Sequence, residues 1–284
     1  MGRIRVCLRG KRPLGTSSEA RYQSGMDFAH LLVTQSPAAV ATITLNRPDS
    51  LNAFNSAMID ELRAAVERLP AQGARCLLLT GAGRGFSSGA DLASGGGLPE
   101  DVGAELEKHF NPLVEALFAA PVPIVAAVRG PCAGAGCSIA LAADIVLADR
   151  SAYFLQAFIN IGLIPDAGAT WLLPRLAGRA RALEMMMLGE RIPAERAADW
   201  GLISRVVDDD ALETEAVALA TRLAQGPTVA YGLIRRLARN AEQLPLSEAL
   251  GAERIAQREA GSTEDFKAAV LAFLQKRQPR FDGR

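Results

Sequence analysis

The segment FINIGLIPDAGATWLLPRLAGRARALEMMMLGE, residues 158–190, carries one acidic side chain before Glu184, and it is Asp166. The carboxylate follows Pro165 and precedes Ala167-Gly168-Ala169, a composition that turns a chain. Burying a carboxylate without a partner is costly. A lone one at a turn in an apolar segment is therefore either a solvated cap or a group that moves protons. Two glycine-rich turns offer complementary chemistry: TGAGRGFSSGADL, residues 80–92, and RGPCAGAGCSIAL, residues 129–141. Small residues let a ligand approach backbone N–H groups closely. In the second turn the glycines open a helix, whose first N–H groups lack intrahelical acceptors and lie at its positive end. Two such turns facing one point would make an oxyanion hole. Gly134 and Gly136 would equally serve close helix packing. The spacing Gly81, Gly83, Gly85 is not the G-x-G-x-x-G of dinucleotide sites, and no acidic residue closes a second strand at the required distance.

Strands and helices in alternation must position these turns. HLLVTQSPAAVATITLN reads as two short strands with a turn at Ser36-Pro37. NSAMIDELRAAVERL puts Met58, Ile59, Leu62, Ala65, Val66 and Leu69 on one helical face. Asn55 or Ser56 is its N-cap, with Asp60-Glu61 in the first turn. ARCLLLTG and VPIVAAVRG are buried strands, each feeding a glycine-rich turn, and GAGCSIALAADIVLA is a small-residue helix passing through Asp144 into a further strand. This βα alternation predicts a parallel sheet with right-handed crossovers. Beyond about residue 175, apart from LISRVV, helical patterns follow: DALETEAVALATRLAQ, TVAYGLIRRLARNAEQ, LSEALGAERIAQREA and TEDFKAAVLAFLQKR. Three regions result: a disordered basic leader over 1–25, a core over 26–210 and a helical region over 211–284. The leader carries five Arg and one Lys against one Glu, and the folded pattern starts directly after Met26, as if an upstream start preceded the real one.

Bulk composition excludes several classes. Basic and acidic residues balance at 31 each, so no overall field favours nucleic acid or an anionic membrane. No uninterrupted apolar run reaches the length of a bilayer span. Cys7, Cys76, Cys132 and Cys137 have neither metal-ligand spacing nor a dense framework, which suits a reducing cytoplasm. With His30 and His109 as the two histidines, metal chemistry is not expected.

In order along the chain, ITLNRPDSLNAFN, LTGAGRGFSSGADL, GPCAGAGCSIALAADIVLAD, INIGLIPDAGATWLLPRLAG, AADWGLISRVV and FLQKRQPRF resemble the successive signatures of the crotonase (enoyl-CoA hydratase/isomerase) family. The resemblance runs from about residue 27 to the C-terminus. It implies an α/β spiral of ββα units with a C-terminal helical region, assembled as a homotrimer or a dimer of trimers. It further implies an acyl-CoA substrate, with coenzyme A entering as part of the thioester and no permanently bound cofactor. On the matching positions the thioester oxygen would lie between the N–H groups of Ala90 and Ala135. Backbone around Ala53, Ser88, Gly89, Asp91, Leu92 and Gly134 would line the pantetheine and nucleotide, with Phe273 and Lys276 of a neighbouring subunit closing over it.

The sequence departs from the family's hydratases at one point of consequence. Those members carry two glutamates, and this chain has Ser138 and Phe158 at the matching positions. Neither transfers a proton as a carboxylate does, which leaves Asp166. The motifs are most similar to members that open aromatic-derived epoxides on CoA thioesters and shift double bonds. One carboxylate that takes a proton from one carbon and returns it to another suits both tasks, while Phe158, Leu155 and Ile164 would form a dry wall. Three alternatives stand beside this reading. One is a hydratase. Another is an aryl-CoA hydrolase with Asp166 as nucleophile and His109 as base, although the tryptophan that class carries near Phe158 is absent. His109 otherwise reads as a partly exposed helix residue. The third is a non-catalytic binder of acyl-CoA or RNA.

Overall fold

The computed structural model describes residues 28–92, 101–241 and 243–284; the basic leader, residues 1–25 with Cys7, lies outside the described residues. β1 (Leu31–Gln35) turns at Ser36-Pro37 into β2 (Val40–Leu45), and the two pair antiparallel with Leu31 opposite Leu45. Helix α1 (Ser56–Arg68) then crosses to β3 (Cys76–Gly81), which lies parallel to β2. The Asn55 side chain accepts the Met58 N–H at 2.8 Å as N-cap, and Met58, Ile59, Leu62, Ala65 and Val66 are buried along one face, the expected stripe. Asp60 and Glu61 are not in the first turn, because the helix starts only at Ser56. Glu61 is instead used as a clamp: its carboxylate accepts the N–H groups of Ala29 and His30 at the chain's entry to β1.

After α2 (Val102–Glu105), one π-helical stretch (Leu106–Phe110) and α3 (Asn111–Ala119), the chain enters β4 (Ile124–Val128). It continues through β5 (Pro131–Ala133), α4 (Ala135–Leu141), β6 (Ile145–Asp149), β7 (Tyr153–Leu155), α5 (Ala169–Ala177) and α6 (Arg179–Leu188). Next come β8 (Ile192–Pro193), α7 (Ala194–Asp199) and β9 (Arg205–Val207). The main sheet has six strands in the order β1-β2-β3-β4-β6-β9, parallel except for β1; the second has the order β5-β7-β8. The ββα expectation is met in β4-β5-α4 and β6-β7-α5, where a main-sheet strand leads to a short second-sheet strand and then to a helix.

β4 is buried throughout and β3 up to its last residue, because helices cover both faces of the sheet. On one side lies the large core containing Met58, Leu62, Leu77, Leu79, Phe86 and Phe154. On the other, α8 (Leu212–Ala224) lays Leu212, Ala216, Ala220 and Ala224 on Val40, Cys76, Leu78, Val125 and Leu147. Spacing of four places that stripe on one face, and the alanines let the helix sit close to the strands.

Three helices follow: α9 (Thr228–Ala241), α10 (Leu246–Gly261) and α11 (Glu264–Leu274). Two arginines join α9 to the core. Arg235, 6% exposed, donates to the carbonyls of Leu117 and Ala120 and to Asp144. Arg239 donates to the carbonyls of Phe118 and Ala142 and to the second Asp144 oxygen. Both cations thus sit on carbonyls at the C-terminal ends of α3 and α4, where the helix dipole favours positive charge. Asp144 also accepts the Ile124 N–H at 2.7 Å, so one carboxylate ties β4 to α9. Removing one member of a buried, bonded ion pair strands the other, typically at a cost of about 3–5 kcal/mol. Asp144 keeps about a fifth of its side-chain surface exposed. Arg235→Ala should therefore lower unfolding stability by about 3 kcal/mol, at the lower end of that range, measured by urea titration at constant m-value.

Candidate active site

The site begins with a tight loop between β2 and α1. Leu51 and Asn52 both take the left-handed conformation, with φ of 53° and 54°, which non-glycine residues adopt only when surrounding bonds hold them there. Asn52 is fully buried and supplies those bonds. Its Nδ2 donates to the carbonyls of Ala82 and Gly85 at 2.9 Å each, and its Oδ1 accepts the Arg47 N–H at 2.9 Å. Arg47 in turn donates to the Ala53 carbonyl and, at 2.8 Å, to the Asp91 carboxylate. The Asn-Arg-Pro-Asp-Ser-Leu-Asn run, residues 46–52, is therefore a brace for the first glycine-rich turn. The sequence points to the adjoining Ala53 and not to Asn52 or Arg47, for which a polar Asn inside SLNAF is the available signal.

The two glycine-rich turns come together as expected. Ser87 pairs with Cys132 in parallel, its N–H donating to the Pro131 carbonyl and its own carbonyl accepting the Ala133 N–H. On the other side Phe54 pairs with Ala90, through Phe54 N–H to Gly89 and Asp91 N–H to Phe54, at 2.8 and 2.9 Å. Gly89 has φ +97° and Gly134 φ +53°; a Cβ on Gly89 would lie 3.0 Å from the Ala133 oxygen and 3.5 Å from the Ala135 nitrogen. Only glycine fits there. The N–H groups of Ala90 and Ala135 consequently emerge from adjacent backbones, and among the described residues neither has an acceptor. Ala135 is the first residue of α4, so its N–H sits at the positive end of that helix.

Asp166 lies beside the first turn of α4. Its backbone carbonyl accepts the Ser138 hydroxyl at 3.1 Å, and the same hydroxyl lies 3.4 Å from the Gly134 carbonyl. The carboxyl group is half-buried; Oδ1 is shielded from solvent and has no hydrogen-bond partner among the described residues. Burial pushes its pKa up from 3.8 to about 6, because a low-dielectric setting disfavours the charged form. The capping alternative does not hold: the α5 N-cap is Gly168, and no side chain caps it.

The remaining expected residues fall into two groups. Phe158 is 7% exposed, its ring 3.8 Å from where a Gly134 Cβ would stand, and the Leu155 carbonyl accepts the Gly134 N–H at 2.8 Å. Ala53, Gly89 and Ser138 are buried with them, and Ser88 and Asp91 border the same turn. Ile164 differs from its expected place in a dry wall: it is 78% exposed in the single chain, because it precedes Pro165 in a segment without secondary structure. Leu92 and Phe273 are also exposed, and Lys276 follows α11 with φ +53°. His109 is not a partly exposed helix residue. It is 6% exposed, with Nδ1 3.0 Å from Asp60 Oδ1, because the π-helical stretch turns it toward α1.

Among the described residues no group of three His, Cys, Asp or Glu side chains could hold a metal ion, and no helix is long and apolar enough to cross a membrane. The enoyl-CoA hydratase/isomerase family pattern matches residues 35–284. A 1,2-epoxyphenylacetyl-CoA isomerase from Escherichia coli K12 is 48% identical over 250 residues, covering 86% of this chain and 95% of that protein. A probable enoyl-CoA hydratase from Rhodobacter capsulatus is 44% identical, covering 90% and 99%. The crystal structure of an enoyl-CoA hydratase from Bacillus anthracis superimposes with a TM-score of 0.85 at 31% identity, covering 90% of this chain and all of that one. With the two-layer spiral and the paired glycine turns, these likenesses place the chain in the crotonase, or enoyl-CoA hydratase/isomerase, family.

Proposed function

We propose that the protein is an isomerase of acyl-CoA thioesters that uses Asp166 as its acid and base and the N–H groups of Ala90 and Ala135 as an oxyanion hole. The observation that carries this reading is the Asp166 carboxyl, half-buried beside the first turn of α4 with a pKa near 6. In a double-bond shift the carboxylate takes a proton from C2 of a 3-enoyl thioester. The electrons move onto the thioester oxygen, where two N–H donors stabilise them, and the new carboxylic acid then delivers the proton to C4. The double bond ends at C2–C3 and Asp166 is again a carboxylate. One such donor is worth about 3–4 kcal/mol of barrier. Hydration would require a second group to handle water, and Ser138 and Phe158 provide none.

The likeness to the Escherichia coli enzyme supports a finer reading. The substrate is ring 1,2-epoxyphenylacetyl-CoA, opened to an oxepin, with 3,4-to-2,3 double-bond isomerisation as a companion activity in phenylacetate breakdown. Backbone around Ala53, Ser88, Gly89, Asp91 and Leu92 would hold the pantetheine, and the buried Phe158 ring would face an aromatic acyl group. Assembly as trimers or dimers of trimers belongs to the same proposal. It is supported by exposed apolar side chains on α9 to α11, among them Ile234, Leu246, Phe266 and Phe273. Light scattering should give a particle of three or six chains; a stable monomer at micromolar concentration would contradict it.

Asp166→Asn tests the chemistry. Asn keeps the shape but accepts no proton at working pH, so isomerisation of a 3-enoyl-CoA should fall by at least about 10²- to 10⁴-fold. Acyl-CoA binding should persist, because the donor N–H groups are untouched. In the wild-type protein kcat should fall as pH drops through about 6 and the carboxylate is protonated. Retained turnover in a well-folded Asp166→Asn protein would refute the mechanism.

The same substitution has a stability consequence of opposite sign. A carboxyl whose pKa is higher folded than unfolded favours the folded state below pH 3.8, and that contribution is lost as pH rises through about 6. Asp166→Asn escapes the cost of burying an ionised group. The substituted protein should be more stable by about 1–2 kcal/mol at pH 8 and lose this advantage by pH 4, followed by urea unfolding at both values.

A further inference from the structure

Ser138 stands at the centre of the site without a part in the proton transfer. It is 1% exposed, and its hydroxyl has one proton to donate between the Asp166 carbonyl at 3.1 Å and the Gly134 carbonyl at 3.4 Å. The shorter contact is the better bond. It ties the first turn of α4, which begins at Ala135, to the peptide unit that follows the Asp166 side chain. That peptide leads into Ala167, a buried residue with φ +49°. An L-residue in that region costs about 1–2 kcal/mol and persists only where its surroundings hold it. Ala169 N–H also donates to the Asp166 carbonyl, at 3.0 Å. One carbonyl oxygen therefore receives both the start of α5 and the Ser138 hydroxyl.

We propose that Ser138 is a positioning residue, holding the Asp166 backbone at a fixed distance from the Ala135 N–H so that its carboxyl stays in the shielded setting beside α4. This proposal rests on the reading of Asp166 as the acid and base. Among the described residues, the titratable and charged side chains on the neighbouring helices are these. α4 carries Cys137, α5 carries Arg175, which donates to the Trp171 carbonyl, and α3 carries Glu115, with Val114 packed against Gly168. Burial alone displaces the Asp166 carboxyl, with no charge contributing. Loosening the turn should let water reach it and return its titration toward that of an ordinary carboxylate.

The experiment compares Ser138→Ala, Ala167→Gly and Asp166→Asn with the wild-type protein, reading kcat, KM and the acid limb of the pH–rate profile on a 3-enoyl-CoA. Ser138→Ala should lower kcat by about 10- to 100-fold, the loss expected of a misplaced catalytic group. KM should change little, and the acid limb should move down by about one pH unit. Ala167→Gly removes the backbone strain and frees the same peptide, so it should shift the limb in the same direction without loss of melting temperature; it decides the matter if Ser138→Ala does not fold. A merely structural Ser138 lowers the melting temperature and leaves kcat per folded molecule and the acid limb at wild-type values. That result, with Asp166→Asn inactive, overturns the positioning role and leaves the mechanism standing. Activity retained in Asp166→Asn overturns both.

Discussion

Gly89 and Gly134 meet backbone to backbone at positive φ, and the rest of the site is arranged around that approach. The N–H groups of Ala90 and Ala135 can point to one place only if their chains run side by side with no Cβ between them. Two glycines alone would not hold such a contact, since glycine loses more conformational freedom on folding than any other residue. The surrounding hydrogen bonds do. Ser87 ties the first turn to β5, Phe54 ties it to the loop before α1, and the buried Asn52 amide ties that loop back to Ala82 and Gly85. Parallel pairing of β3 with β4 matters at the next level. It delivers both glycine turns at the same end of the sheet, where ligands bind in α/β architectures.

Because the N–H groups of Ala90 and Ala135 are main-chain, their polarity does not depend on side-chain identity, and an acid or base beside them can change without rebuilding the fold. In this chain Ser138 and Phe158, side chains that carry no carboxylate, are both buried beside the second glycine turn. Phe158 covers Gly134 with an apolar ring, an environment that disfavours water. A single carboxyl in a partly desolvated pocket can hold a proton and give it back near neutral pH, which is the property that allylic isomerisation needs.

Much of this was legible in the sequence because it depends on local pattern. The stripe from Met58 to Val66, the Asn55 cap, the buried runs of β3 and β4 and the C-terminal helices follow from periodicity and capping chemistry. The convergence of the glycine turns was legible through their position after two parallel strands. Long-range satisfaction was not. The second sheet consists of strands of two or three residues, too short to show alternation. Arg235 and Arg239 lie on a polar-looking stretch of α9, yet reach carbonyls more than 90 residues away in sequence. His109 reads as a surface residue because nothing in LEKHFNPLV announces the π-helical turn that directs it to Asp60. For Ile164, apolar character predicts burial, whereas in the single chain it is exposed in the loop before Pro165.

Strain is distributed in a way that fits the site. Of the five non-glycine residues with positive φ among the described residues, Leu51 and Asn52 brace the first glycine turn and Ala167 follows Asp166. Such conformations cost about 1–3 kcal/mol each, so a fold tolerates them where other interactions fix the geometry. Here the fixing comes from a sheet covered on both faces, from a buried amide that serves two carbonyls and from a buried hydroxyl bonded to a third. Oδ1 of Asp166, without a hydrogen-bond partner among the described residues, is a cost of the same kind, borne by the core and concentrated on the carboxyl proposed to move the proton. A carboxyl with its full set of hydrogen bonds would be more stable and, with its pKa held low, a weaker base.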